Sequence, residues 1–251
     1  MGAPTSPPPL LAADLHFYFD PVCPFAWLAS RWIHKVKAQR NYVVDWRFIS
    51  LRQMNAHIDY DAHFPPEYEA VHNAGLRMLR ACASARAEHG REAMEDLYTA
   101  FGAAMFDSPM PDDPVALQAI GREDHVGPVL ERAGLPTHHL RALDDAARWD
   151  PVIQAETDEA LSLTGKDVGT PIVQFEPPEG TAFFGPVISR LPGDDDALEL
   201  WDHVIGLARF GGFSEIKRSL REQPQLRAFG VADGEVGVQE DWHGGSRRQK
   251  R

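Results

Sequence analysis

The sequence predicts an α/β fold in which a strand–helix–strand opening and a strand–strand–helix ending are separated by a large all-helical insertion. Three observations predict it. Apolar residues alternate at Leu15, Phe17 and Phe19 and again through Val43, Val44, Trp46 and Phe48, with a helix-like pattern between them; alternation marks strands and 3.6-residue spacing marks helices. About a hundred residues then carry only helical spacing. Short apolar runs bounded by turn residues return at Ile172 and Ala182.

In chain order, Leu15–Phe19 reads as the first strand. It stops at Asp20-Pro21, and Pro24–Gln39 follows as a helix. Tyr42–Ile49 reads as the second strand. Glu67–His89 has Val71, Leu76, Leu79 and Cys82 at helical spacing, and Glu92–Phe106 has Met94, Leu97, Tyr98, Phe101 and Met105. Three further helices, Pro114–Ala133, Pro136–Arg148 and Pro151–Thr164, each open on a proline, which the first helical turn tolerates. Ile172–Phe175 and Ala182–Phe184 form a strand pair joined by the turn Glu176-Pro177-Pro178-Glu179-Gly180. Helices at Ala197–Arg209 and Phe213–Glu222 complete the pattern. The expected organisation is a disordered N-terminus (1–14), one α/β domain built from 15–60 and 165–223, a helical insertion subdomain (61–164) and a mobile C-terminal tail (224–251).

Cys23 is the principal candidate for chemistry. It falls between the first strand and the first helix, where unpaired backbone N–H groups and the helix dipole favour an anion. Pro24 suits the first helical position because its missing donor costs nothing there. Cysteines so placed have pKa values of roughly 3.5–7.5, so an acidic, reactive thiol is expected; the competing reading is a small buried hydrophobe. Cys82, among Leu79-Arg80-Ala81-Cys82-Ala83-Ser84-Ala85, reads as a buried structural thiol rather than a resolving one.

The run Phe17-Tyr18-Phe19-Asp20-Pro21-Val22-Cys23-Pro24, with Trp27 and Ser30-Arg31-Trp32-Ile33 beyond it, resembles the active-site segment of the thioredoxin superfamily. Within that superfamily it is similar to the DsbA-like branch containing the mycothiol-dependent nitroreductases and FrnE-type proteins. Asp167-Val168-Gly169-Thr170-Pro171 and Ala182-Phe183-Phe184-Gly185-Pro186-Val187-Ile188-Ser189-Arg190 strengthen the resemblance, which runs from about Leu15 to about Leu220. It implies a thioredoxin-like fold whose helical insertion caps the cysteine face and walls a substrate cleft. It also implies a cis bond before Pro171, with Thr170 backbone groups turned toward Cys23. Phe25 is expected at the mouth of the cleft, with a core phenylalanine as the other reading. Asn55 is a candidate hydrogen-bonding partner for a small thiol, or an ordinary loop asparagine. The implied substrate- or thiol-binding set is therefore Pro24, Phe25, Asn55, Thr170 and Pro171. The departure from the superfamily is Ala26, which stands where a Cys-x-x-Cys motif has its second cysteine.

Composition sets outer limits. The 251 residues are 43% hydrophobic with a net charge of −12, which disfavours binding to a phosphate backbone. No apolar run approaches a membrane span. Met1–Ala13 lacks the basic n-region of a secretory signal, and two cysteines do not make a disulfide scaffold, so a cytoplasmic location is expected. None of the eleven histidines shows metal-ligand spacing with a cysteine or an H-E-x-x-H pair, so no metal is assigned. No nucleotide motif is present and no tightly bound cofactor is expected; the resemblance implies mycothiol or another low-molecular-weight thiol as cosubstrate. The partner is a small-molecule substrate, and the sequence does not address oligomeric state.

Lacking a second cysteine, an enzyme built on Cys23 must have its adduct resolved by an outside thiol or undergo no net redox change. The first reading is a monothiol oxidoreductase working with a mycothiol-like thiol. The alternative is an isomerase in which the thiolate adds reversibly to a conjugated polyene or enoyl substrate. A binding protein that kept the fold and lost turnover is the third.

Overall fold

Strand β1, Leu15–Phe19, is buried on both faces, which is why an apolar residue can occupy nearly every position along it. Leu15, Phe17 and Phe19 point into the main core, whereas Tyr18 joins Ile49, Ala160 and Ile172 in a smaller cluster on the other face. The computed structural model describes residues 13–63, 67–109, 114–217, 220–237 and 239–241. After β1 come α1 (Pro24–Gln39), β2 (Val44–Phe48), and the short helices α2 (Leu51–Met54) and α3 (Tyr60–His63). The insertion carries α4 (Glu67–His89), α5 (Ala93–Phe106), α6 (Pro114–Ala119), α7 (Glu123–Arg132), a 3-10 segment (Thr137–Asp144) and α8 (Ala146–Thr164). Then follow β3 (Ile172–Phe175), β4 (Ala182–Phe184), α9 (Asp194–Arg209), β5 (Leu220–Glu222) and β6 (Gln239–Asp241).

The main sheet has the order β2-β1-β3-β4. β1 runs parallel to β2, with Phe17 opposite Trp46, and antiparallel to β3, with Phe17 opposite Val173. The crossover from β1 to β2 is α1, as a parallel pair requires. α9 packs on α1 through a Trp32–Trp201 edge contact at 5.3 Å, and Trp32 Nε1 donates to the Ala197 carbonyl at 2.8 Å. α5 reaches the same side of the sheet through aromatic packing: Tyr98 stacks on Phe19 at 4.0 Å and meets the edge of Trp27 at 6.1 Å. On the other face Ala160 of α8 packs against Tyr18 and Ile172. Glu156 of α8 pairs with Arg86 of α4 at 2.8 Å and accepts the Phe48 backbone N–H at 2.8 Å, tying insertion to sheet. No helix among the described residues is long and apolar enough to cross a membrane.

Several boundaries differ from the sequence expectation. The helix expected over Pro114–Ala133 is two helices broken around Gly121. A side chain there would place Cβ 2.8 Å from Ala74 Cα, so the break lets the chain pass close over α4; Arg77 Nε donates to the Gly121 carbonyl at 2.8 Å. The helix expected over Pro136–Arg148 is the 3-10 segment, and α8 begins at Ala146 rather than Pro151. Asp145 caps it by accepting the Arg148 N–H at 3.3 Å, and Pro151 lies inside the helix. The helix expected over Phe213–Glu222 is absent from residues 213–217, and 220–222 form a strand paired with β6. The segment expected as a mobile tail from 224 is partly ordered: Leu226 and Val231 are buried, and Gln225 N donates to the Ser189 carbonyl at 2.6 Å. Residues 1–12 and 242–251, where the rest of the expected disorder falls, lie outside the described residues.

Candidate active site

The site is built where β1 ends. Asp20 is fully buried, and its carboxylate accepts two backbone N–H groups, from Val22 at 3.1 Å and Leu51 at 2.8 Å. It thereby joins the turn before α1 to the start of α2. The Cys23 N–H donates to the Asp20 carbonyl at 3.0 Å, closing that turn. Gly75 of α4 lies against it: a Cβ there would stand 2.6 Å from Asp20 Oδ1 and 2.9 Å from a Val22 methyl carbon. A glycine is required for the insertion to pack this closely.

Cys23 is the N-cap of α1. Its sulfur accepts the Ala26 N–H at 3.4 Å, and Pro24 occupies the first helical position. Across from it, Cys23 Sγ donates to the Thr170 carbonyl oxygen at 3.4 Å, and the Thr170–Pro171 bond is cis. The Thr170 side chain is buried and turned toward the Cys23 sulfur, where its hydrogen bonding favours the thiolate. Cys23, Pro24, Thr170 and Pro171 are therefore assembled in one place. Phe25 is half-buried and lines a cavity of about 1040 Å³. That cavity is walled chiefly by the later part of the chain, including Val168, Phe183, Pro186 and Phe213; the expected insertion reaches it through Leu163 and Thr164 at the end of α8. Of the rest of the insertion, α4 packs against the cysteine turn through Gly75, and none of α4–α7 lines this cavity. Asn55 caps α2, its Nδ2 donating to the Leu51 carbonyl at 2.9 Å.

The thiol itself departs from the acidic group expected. Burial pushes Cys23 up to about 11, outweighing the Thr170 side-chain hydrogen bond and the Ala26 N–H, which pull the other way; the neighbouring Asp20 carboxylate adds to the rise. The helix N-terminus supplies a donor, but Cys23 is only 6% exposed, so a thiolate there forgoes most of its hydration. Burial likewise pushes the Asp20 carboxyl up to about 7 against its two N–H donors. Both groups thus hold protons well above their ordinary range. Alkylation of the free chain by iodoacetamide is accordingly expected to accelerate only at strongly alkaline pH, with its midpoint near 11. Asp20→Asn should move the midpoint down, because it removes a negative charge beside the sulfur. A midpoint at or below about 8.5, the ordinary cysteine value, would contradict burial as the dominant effect. Cys82 is buried on α4, also free, and burial raises its thiol further.

Sequence reasoning passed over Asp20 and Gly75. Asp20 was visible as a charged residue ending an apolar strand, a position that demands buried partners; Gly75 carried no signal within its helix.

A four-stranded sheet of this order, helices on both faces and a thiol capping the helix after the first strand define a thioredoxin-fold protein of the DsbA-like, insertion-bearing kind. Residues 22–218 match the family model described as Rv2466c-like, mycothiol-dependent nitroreductase Rv2466c, and the chain belongs to that family of enzymes. It is similar to the uncharacterized protein Rv2286c of Mycobacterium tuberculosis (strain ATCC 25618 / H37Rv), at 29% identity over 80% of each chain. Among solved structures it is similar to a putative protein-disulfide isomerase from Pseudomonas syringae. That match has 16% identity and a TM-score of 0.42, covering 76% of this chain and 92% of that one. It is also similar to the cytosolic disulfide reductase DsbM from Pseudomonas aeruginosa, at 15% identity and a TM-score of 0.42, covering 77% of this chain and 99% of that one.

Proposed function

We propose that the chain is a monothiol oxidoreductase in which Cys23 exchanges with a small external thiol of the mycothiol type. The observation that carries this reading is the placement of Cys23 Sγ between the Ala26 N–H and the Thr170 carbonyl, each at 3.4 Å. The amide stabilises negative charge on sulfur, and the Thr170 backbone offers an edge against which a thiol substrate can align. The family's description supplies the class of thiol.

In this reading Cys23 surrenders its proton and attacks the electrophilic sulfur of a substrate disulfide. One S–S bond forms, the other breaks, and the leaving thiolate takes up a proton. Ala26, buried in α1, offers no sulfur to resolve the adduct. A molecule of small thiol therefore attacks it and regenerates Cys23, and a second molecule completes the two-electron reduction, leaving the small thiol as its disulfide. The reaction takes place in the cytoplasm on a small-molecule substrate, with Pro24, Phe25 and Pro171 shaping access and Asn55 bonding the small thiol. The high thiol pKa of the free chain means that the bound substrate or small thiol must assist deprotonation.

The buried Ala26 also suits the second reading, isomerisation of a conjugated enoyl or polyene substrate through a reversible Cys23 adduct, which needs one nucleophile and no resolving thiol. Ala26→Cys separates the two. For the oxidoreductase, the variant should retain or increase turnover of a disulfide substrate, since the adduct can then resolve internally. For the isomerase, the new thiol should trap Cys23 as a disulfide and suppress turnover of a conjugated substrate, most strongly without reductant. Isomerisation by the parent with no consumption of small thiol would replace the first reading with the second.

A further inference from the structure

Away from Cys23, the C-terminal end of α4 and the start of the 3-10 segment bring four ligand-bearing side chains together. Glu88 and His89 are the last two residues of α4; His138 and His139 are the second and third residues of the segment Thr137–Asp144. His138 Nε2 lies 2.8 Å from Glu88 Oε2, His89 Nε2 lies 3.2 Å from His139 Nε2, and His89 Nε2 lies 3.7 Å from Glu88 Oε1. One ligand atom each from Glu88, His138 and His139 falls within a mutual separation of 4.8 Å.

We propose that Glu88, His89, His138 and His139 form a transition-metal site, a His₃–carboxylate set of the kind that takes Zn²⁺. Metal–ligand bonds of about 2.0–2.1 Å in a tetrahedron place neighbouring ligand atoms about 3.3 Å apart. The His89–His139 separation of 3.2 Å already has that value, and Glu88 reaches His138 with Oε2 at 2.8 Å and His89 with Oε1 at 3.7 Å, so one rotation of its carboxylate brings a single oxygen between them. Binding needs side-chain adjustment on the exposed members only. His139 is almost fully buried, and its Nδ1 lies 2.9 Å from the Ser84 hydroxyl, one helical turn before Glu88. With that nitrogen donating to Ser84, the Nε2 lone pair is directed into the cluster, the outer-sphere arrangement that fixes a histidine ligand's tautomer. Glu88 contributes one negative charge, and the C-terminal end of α4 adds the negative pole of its dipole.

Three imidazoles and one carboxylate favour Zn²⁺, Co²⁺ or Ni²⁺ over Mg²⁺ or Ca²⁺, which prefer oxygen ligands throughout. Four protein ligands fill a tetrahedron and leave no open position, so the site is structural: the ion clips the end of α4 to a segment about fifty residues later. Adjacent Glu-His and His-His pairs match none of the compact metal motifs, which is why sequence spacing assigned no metal.

The test is titration of Co²⁺, then Zn²⁺, into the full chain without a polyhistidine tag, in a Cys23→Ser background so that the thiol cannot ligate. One Co²⁺ per chain is expected, with the visible absorption bands of a tetrahedral site, displaced by Zn²⁺. Zn²⁺ in excess should raise Tm by several degrees, because it binds the folded chain alone. His89→Gln and His138→Gln, which change exposed side chains, should each weaken binding at least tenfold without lowering the metal-free Tm, whereas His203→Gln should leave it unchanged. The proposal is overturned if no stoichiometric binding occurs at about 100 µM metal, or if the His89 and His138 variants bind as well as the parent.

Discussion

Cys23→Ser is expected to leave the fold intact and lower turnover by on the order of a thousandfold or more, the scale seen when a nucleophile is lost from a covalent mechanism. The fold should survive because serine is slightly smaller than cysteine and can keep the cap: its oxygen can accept the Ala26 N–H that the sulfur accepts at 3.4 Å, and serine is among the preferred N-cap residues. Turnover should fall because a hydroxyl is a far weaker nucleophile than a thiolate and has no base assigned to activate it. The same variant must also fail to form a mixed disulfide with the small thiol, detectable as a mass shift on the intact protein. Retention of more than about a tenth of the parental rate, with a folded chain, would place the chemistry elsewhere. Cys82, buried on the insertion, is not a substitute.

The parts of this site that local sequence determines were legible in it. Alternation at Leu15, Phe17 and Phe19, the stop at Asp20-Pro21, and a proline immediately after Cys23 suffice to place a thiol at the start of a helix. Its acidity was not legible, because the donors at a helix N-terminus are local whereas burial depends on α4 and the Thr170 segment closing over the sulfur. The same division explains the other misses. Phe213, Ile216 and Leu220 have helical spacing, yet Ile216 is 74% exposed and Leu220 lies opposite Asp241 in a strand pair; spacing without a partner surface does not make a helix. Asp145 was the true cap of α8, but Pro151 gave the louder boundary signal. Gly75, Gly102 and Gly121 look like weak points in helical or near-helical stretches. Each is the place where another element approaches too closely for a side chain, and only the assembled packing reveals that.

Gly102→Ala is expected to destabilise the fold strongly for so small a change. On α5 Gly102 faces Trp27 of α1, and a Cβ would stand 2.0 Å from Trp27 Cε3 and 2.1 Å from Cζ3. The indole cannot swing away: it is 4% exposed, meets Tyr98 edge-on at 6.1 Å, stacks near Phe106 at 6.2 Å and carries Arg31 over its ring at 4.0 Å. α5 and α1 must therefore separate, and overpacking of this kind costs about 1–3 kcal/mol, occasionally more. For a chain of this size about 3 kcal/mol corresponds to a fall in Tm of roughly 6–12 °C. Gly206→Ala supplies the opposite sign from the same chemical change. Gly206 lies on the exposed side of α9 with nothing near the new methyl group, so helix propensity alone acts and should stabilise by about 0.5–1 kcal/mol. The consequence extends to the active site, because Trp27 lies in the first turn of α1, where its backbone N–H donates to the Cys23 carbonyl at 3.0 Å. Displacing the indole therefore pulls on the first turn of α1, and Gly102→Ala should lower the alkylation midpoint of Cys23 by opening its surroundings to water, while Gly206→Ala leaves it unmoved. A Gly102→Ala chain as stable as its parent would show that the contact between α5 and α1 is looser than these distances require.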